Sequence, residues 1–127
     1  MQEFMLLVRN TGDYLAALNA DQKQDFLKAC ETYINKLKSN NKLLAAQPLV
    51  KEGMVVAKAG EEWASSPIDV AGEVQVGYYH ILANDMDEAI AIAKENPEFA
   101  YTAKAKVEVR PIKMKELTTG YVYPKSN

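Results

Sequence analysis

The sequence predicts an α+β protein of the ferredoxin-like class, in which a βαββαβ chain forms an antiparallel sheet with two helices on one face. Three observations support this prediction. Glu73–Pro97 has the pattern of a strand, a capped turn and a helix in direct succession, and another capped amphipathic helix begins at Asn19. Between these helices lie short apolar segments typical of a strand pair. Two crossovers around one hairpin place both helices on the same side of the sheet.

Length and composition indicate one domain over residues 1–127, with a core at about 3–112 and a C-terminal tail at 113–127. A net charge of -2 and a pI of about 5.4 argue against a nucleic-acid partner. The apolar runs are far shorter than the roughly 20 residues that span a membrane. The segment MQEFMLLVRN lacks the features of a signal peptide, and the lone Cys30 has no internal disulfide partner. We therefore expect a cytoplasmic protein.

The first strand is predicted at Phe4–Val8, and the first helix begins with a capping box formed by Asn19 and Gln22. The helix ends near Asn40. Its apolar residues recur at steps of one, three and four and share one face: Phe26, Leu27, Cys30, Tyr33, Ile34 and Leu37. We interpret Cys30 as a small core residue, because no histidine or acid lies at local spacing to activate it.

A second strand is predicted around Gln47–Val50 and a third at Met54–Lys58, joined as a hairpin through the turn pair Glu52-Gly53. The following polar stretch, Ala59–Ser66, is interpreted as a loop. Its one large apolar residue is Trp63, which is either a lid over a pocket or a plug at the edge of the core, and we favour the plug.

The longest strand is predicted at Glu73–Ala83. With alternation throughout, one face holds Val74, Val76, Tyr78, His80 and Leu82, and the other holds Gln75, Gly77, Tyr79, Ile81 and Ala83. Both faces carry large apolar side chains, whereas the two helices cover only one face of the sheet. The uncovered face predicts a homodimer in which two sheets stack.

The second helix is predicted to begin with a capping box at Asp85 and to end at Asn96-Pro97, because the residue before proline is disfavoured in a helix. Ala105–Ile112 alternates as a last strand. In the tail, Tyr121–Tyr123 is a candidate further strand, which we expect to dock on the partner subunit.

Three segments of the chain resemble the YCII-related proteins, including the subset called DGPF proteins: FMLLVRN, GYYHILANDMDEAIAIAKENP and VEVRPI. The resemblance runs from about Glu3 to Ile112. It implies the fold of the dimeric α/β-barrel proteins, which agrees with the order of elements. It implies little about activity, since most members have none assigned. A His–Asp pair has been suggested as catalytic for some members, and a few relatives act on small aromatic ring compounds.

The sequence departs from that family where the chemistry is expected. The Asp-Gly-Pro-Phe motif falls on the segment SSPI, so that Ser65 replaces the carboxylate and Asp69 lies four residues further on. Some relatives carry a histidine early in the first helix, where this chain has Asp21–Asp25. Neither half of the suggested pair is therefore at its expected position.

His80 is the candidate catalytic residue, because histidine titrates near neutral pH and can act as a general base. The alternative, which we favour, is a hydrogen-bonded packing residue in the sheet or the dimer interface. Candidate ligand-binding residues that could converge on His80 are Arg9, Ser65, Asp69 and Tyr78.

We expect no metal and no cofactor, because one Cys and one His far apart do not form a zinc site and no glycine pattern fits a phosphate loop. Two hypotheses remain. The favoured one is a non-catalytic homodimer that binds a small organic ligand or has a structural role. The alternative is a small lyase- or isomerase-like enzyme acting on an aromatic or enol substrate, with His80 as base and Tyr78 or Tyr79 as orienting donor. The missing carboxylate and helix histidine favour the first.

Overall fold

The computed structural model describes residues 1–124 and contains a four-stranded antiparallel sheet with helices on one side. The strands are β1 (Gln2–Thr11), β2 (Leu43–Pro48), β3 (Met54–Ala59), β4 (Glu62–Pro67), β5 (Glu73–Ala83) and β6 (Lys106–Pro111). The helices are α1 (Ala20–Ser39), α2 (Met86–Lys94) and the short α3 (Glu98–Tyr101). The main sheet has the order β2-β5-β1-β6, which is the ferredoxin-like arrangement, and β3 and β4 form a separate hairpin. The predicted fold class is confirmed.

Both long helices pack on one face of the sheet, called here the inner face. Phe4 and Leu6 of β1 and Ile81 of β5 are fully buried there, against Tyr33 of α1 and Ile92 of α2. The small residues Ala89 and Ala93 allow α2 to approach closely. The other face is called the outer face, and no helix within residues 1–124 contributes a buried residue to it. No helix within residues 1–124 is long and apolar enough to cross a membrane.

Both helices begin at the predicted cap residue, but of the two predicted capping boxes only the one at Asn19 is present. The Asn19 side chain accepts a hydrogen bond from the Gln22 backbone, and the Gln22 side chain accepts one from the Asn19 backbone, so the predicted capping box is confirmed. Asp85 caps α2 by accepting from the Glu88 backbone N–H. The Glu88 carboxylate instead accepts from the Asn84 backbone and side chain, one residue before the cap. These contacts satisfy backbone donors that the first helical turn leaves unpaired.

Three predictions for the middle of the chain were wrong. The second strand lies earlier than predicted, at Leu43–Pro48, and it pairs with β5, so Glu52-Gly53 does not join a hairpin. The predicted loop at Ala59–Ser66 contains β4, which pairs with β3 through a tight turn at Gly60 (φ 63°). The segment lacks the alternation of apolar and polar residues typical of a strand, because every residue of this hairpin is exposed and neither of its faces is buried. Trp63, 69% exposed, is neither lid nor plug.

The prediction of uniform alternation along β5 was also wrong, because the strand contains a β-bulge. Val8 of β1 pairs with Gly77, whereas Arg9 pairs with Gln75, so Val76 is an additional residue. Val74 and Val76 are buried before the bulge, and Tyr79, Ile81 and Ala83 belong to the inner face after it. The bulge therefore shifts the alternation by one residue, and Tyr78, His80 and Leu82 alone form the outer face beyond it.

The tail forms a small hairpin of its own. Its predicted strand Tyr121–Tyr123 is reduced to one bridge between Val122 and Lys115, supported by backbone hydrogen bonds from Tyr123 to Met114 and from Glu116 to Tyr121. Met114 and Tyr123 lie beside His80, at one end of the outer face.

Candidate functional site

A cavity of about 270 Å³ lies between α1 and the inner face of the sheet. It opens at Leu27, which is 64% exposed, and at the exposed Gln47 of β2. The bulge contributes to its floor, since Val76 and Gly77 both line it. The lining is almost entirely apolar: Val8, Tyr14, Leu15, Phe26, Leu27, Cys30, Ile34, Ala46, Gln47, Pro48, Val76, Gly77, Tyr78, Tyr79 and Glu98.

Gly77 keeps β2 and β5 close together at this floor. A Cβ atom at Gly77 would lie 3.1 Å from the Gln47 carbonyl oxygen and 3.3 Å from Pro48 Cα. Because both of these neighbours are backbone atoms, a side chain at Gly77 would require β2 to shift by a few tenths of an ångström. Glycine next to the bulge therefore allows the close approach of the two strands at the floor of the cavity.

Glu98 is the one charged residue among those that line the cavity. It begins α3, where its backbone N–H donates to Asn96 Oδ1 and its carbonyl oxygen accepts from the Thr102 hydroxyl. Thr102 in turn accepts from the Asn10 amide of β1 at 2.8 Å. These contacts hold Glu98 against the sheet, where the residue is only 5% exposed. Its Oε1 has no hydrogen-bond partner among the described residues.

One buried acid, Glu98, dominates the electrostatics of the cavity. Burial raises the pKa of Glu98 from 4.5 to about 7, and hydrogen bonding from Asn10 and Tyr14 lowers it only in part. Burial, together with the nearby Glu98 charge, also raises the pKa of Tyr14 to about 12 and that of Cys30 to about 11. Burial raises the pKa of the Tyr79 hydroxyl as well. Glu98 is therefore the group here that changes charge near neutral pH.

A mostly apolar cavity with one anchored polar group is the usual form of a small-molecule site. The apolar wall gives affinity by removing ligand surface from water, and the polar group fixes orientation. Cys30, interpreted from the sequence as a core residue, is only partly buried and lines this cavity.

The histidine singled out by the sequence lies at a second place, on the outer face. His80 Nε2 is 2.7 Å from Glu3 Oε1, and the two side chains are only 18% and 8% exposed. A cavity of about 260 Å³ adjoins them, lined also by Met5, Ile112–Met114, Tyr123 and Pro124. A carboxylate that accepts one ring N–H of a neutral histidine leaves the other nitrogen as a proton acceptor.

The other candidate residues do not gather around His80. Arg9 pairs with Glu108 at 3.3 Å and is six residues from Glu3 along β1, or about 20 Å. Ser65 lies on the exposed β3–β4 hairpin. Asp69 accepts a hydrogen bond from the Ala71 backbone within its own loop. Tyr78 shares the outer face with His80 and also lines the cavity beside α1.

Two residues were missed by sequence reasoning. Glu3 could have been found, because the ferredoxin-like order places β1 beside the long strand and Glu3 is the one acid in β1. Glu98 gives no comparable signal, since it follows Asn96-Pro97 in a segment that reads as a loop. Within residues 1–124, no three His, Cys, Asp or Glu side chains group as a metal site.

A family model described as the YCII-related domain matches residues 2–113. No curated protein matches the chain.

Proposed function

The chain belongs to the YCII-related domain family, and on that premise we propose that it binds a small, largely apolar ring compound in the cavity beside Glu98. The observation that carries this proposal is a buried acid in the wall of an apolar cavity, whose Oε1 has no hydrogen-bond partner within residues 1–124. A buried polar group without a partner destabilises the folded protein by about 1–3 kcal/mol. A ligand that hydrogen-bonds to the Glu98 carboxylate would offset this cost.

The volume fits a compound of one ring. An apolar cavity of about 150 Å³ is enough to hold benzene in a protein interior, and the cavity beside Glu98 measures about 270 Å³. It therefore has room for one ring and a short substituent. This size agrees with the resemblance to proteins that act on small aromatic ring compounds.

The test is a thermal-shift series with one-ring probes: toluene, benzyl alcohol, benzylamine and phenylacetate. A ligand of the native state raises the melting temperature by mass action. Ala46 lines the cavity, and its neighbour Ala45 pairs with His80 on the outer face. We expect Ala46→Leu to abolish the shift by filling the cavity and Ala45→Leu to retain it. A wild-type protein that responds to none of the four probes contradicts the proposal.

The 2.7 Å contact between His80 and Glu3 favours a second candidate function, a lyase or isomerase acting on an enol. In this role His80 removes a proton from the substrate, and Glu3 orients the imidazole and stabilises its charged form. The test is the ketonisation of the phenylpyruvate enol, followed by loss of its ultraviolet absorbance. Catalysis by the wild type that His80→Gln removes supports this function, and rates equal to those in buffer contradict it.

A homodimer through the outer face is proposed as well. Met5, Leu7, Tyr78 and Leu82 carry apolar surface on this face and are only partly buried. The exposed hairpin β3–β4 has further apolar side chains, including Val56 and Trp63, and an isolated two-stranded hairpin is at best marginally stable in water. A second subunit would cover both surfaces.

A further inference from the structure

We propose that the cavity beside Glu98 selects organic cations, namely small ring compounds that carry an ammonium group. This inference rests on the proposed binding function and narrows its ligand class. It is carried by the distribution of charge around the cavity. Glu98 lines the cavity, and no Lys, Arg or His is among the described residues that line it.

An acidic ligand does not suit this arrangement. A carboxylate in the cavity would place a second negative charge beside Glu98, with no cationic side chain in the lining to offset either one. Burying an unpaired charge is costly. Aromatic acids are therefore the class of ring compound that the cavity excludes most strongly.

An ammonium group supplies what Glu98 lacks. Its charge compensates the Glu98 carboxylate, and its N–H groups can donate to this carboxylate, because Glu98 lines the cavity. Hydrogen bonds to charged groups stabilise more than hydrogen bonds between neutral groups. A cationic ligand thus gains more from this contact than an alcohol of equal size.

The aromatic residues of the wall also favour a cation. Tyr14, Phe26 and Tyr79 line the cavity together with Glu98, and the Tyr14 and Phe26 rings meet edge to face with centroids 6.3 Å apart. Aromatic ring faces attract organic cations through their quadrupole. The Glu98 carboxylate and the aromatic rings therefore both favour a cationic ligand.

The charge state of the cavity near neutral pH is decided by Glu98. The titratable groups around it are Tyr14 from the loop before α1, Cys30 from α1 and Tyr79 from β5, and all three have raised pKa values and are neutral at pH 7–8. Asn10 contributes an uncharged amide. The preference for a cation is therefore expected to increase as pH rises from 6 to 8 and Glu98 loses its proton.

The test compares benzylamine with benzyl alcohol by isothermal titration calorimetry on the full-length protein. The two probes have nearly the same shape and differ in charge. At pH 8 we expect benzylamine to bind about tenfold more tightly than benzyl alcohol. Glu98→Gln should abolish this difference while still binding benzyl alcohol. The control Glu62→Gln removes an exposed acid of the β3–β4 hairpin and should leave the difference unchanged.

The outcomes separate this inference from the binding function. Equal affinities for the two probes in the wild type overturn the cation preference but leave small-molecule binding standing. Binding of neither probe overturns both. A Glu98→Gln protein that keeps the tenfold preference overturns the role of Glu98. If that variant does not fold, the wild-type affinity ratio is measured at pH 6, 7 and 8, where an increase with pH supports the inference and a constant ratio overturns it.

Discussion

Glu3 and His80 meet diagonally across β1 and β5. The register pairs His80 with Met5 and Glu3 with Leu82, yet Glu3 Oε1 approaches His80 Nε2 to 2.7 Å. Diagonal neighbours of this kind are within reach of long side chains on one face of an antiparallel pair. The pair lies at the end of the outer face where the tail hairpin folds over it, so both side chains are largely shielded from water.

Removing the carboxylate of this pair should destabilise the fold. We expect Glu3→Ala to lower the free energy of unfolding by about 1–3 kcal/mol, because it removes the carboxylate that hydrogen-bonds to the shielded imidazole of His80. Urea denaturation measures the change. Glu73→Ala is the matched control, since Glu73 forms an exposed ion pair with Lys106 and should cost about 1 kcal/mol or less. Equal losses in the two variants would contradict a special role for Glu3.

The buried acid of the cavity should give stability a distinctive pH dependence. Since the folded-state pKa of Glu98 is raised from 4.5 to about 7, the folded protein holds this proton more tightly than the unfolded chain. Its contribution to stability is therefore full below pH 4.5 and decreases by at most about 3 kcal/mol as pH rises towards 7. Glu98→Gln should remove this decrease, so the variant becomes more stable relative to the wild type as pH rises.

This prediction is checked by urea denaturation of both proteins at pH 5, 6, 7 and 8. The informative quantity is the difference between their free energies of unfolding, because other groups titrate equally in both. Glu62→Gln, at an exposed position on β4, should follow the wild type at every pH. A pH-independent difference between Glu98→Gln and the wild type would show that Glu98 titrates normally.

The single cysteine offers a chemical probe of the same cavity. With a pKa of about 11 instead of 9.0, Cys30 has about one hundredth of the thiolate of a free cysteine at pH 8. Alkylation by iodoacetamide in the native protein should therefore be about tenfold to a hundredfold slower than in urea, because the higher nucleophilicity of a more basic thiolate offsets part of the difference. Glu98→Gln should accelerate it, because the Glu98 charge contributes to the raised pKa. Mass spectrometry follows the reaction, and equal native and unfolded rates would refute the prediction.

The outer face can be tested as a dimer interface by adding a charge. Leu7 lies on this face, opposite Tyr78, so Leu7→Arg should convert a homodimer into a monomer. Ile90→Arg places the same charge on α2, at a residue that is partly exposed, and should leave the dimer intact. Light scattering coupled to size-exclusion chromatography gives the mass. A wild-type monomer at micromolar concentration would exclude the dimer.

The parts of the fold that could be predicted from sequence are those with local causes. The Asn19 and Asp85 caps and the bounds of β5 depend on side chains a few residues apart, and each was predicted at its observed position. The bulge at Val76 could not be predicted, because it arises from pairing with β1, far away in the chain. The same holds for Glu98, whose burial depends on tertiary packing that brings Asn10, Tyr14 and Cys30 around it.

The bulge gives β5 two segments with independent roles. On one side of Val76 the strand covers a small buried cluster, and on the other it presents Tyr79 to the helices and His80 to the opposite face. If Val76 were paired in line with β1 instead of being the additional residue, the alternation that places Val74 inside would continue, and His80 rather than Tyr79 would face the helices. The one additional residue thus keeps the single histidine of the chain on the face away from the cavity.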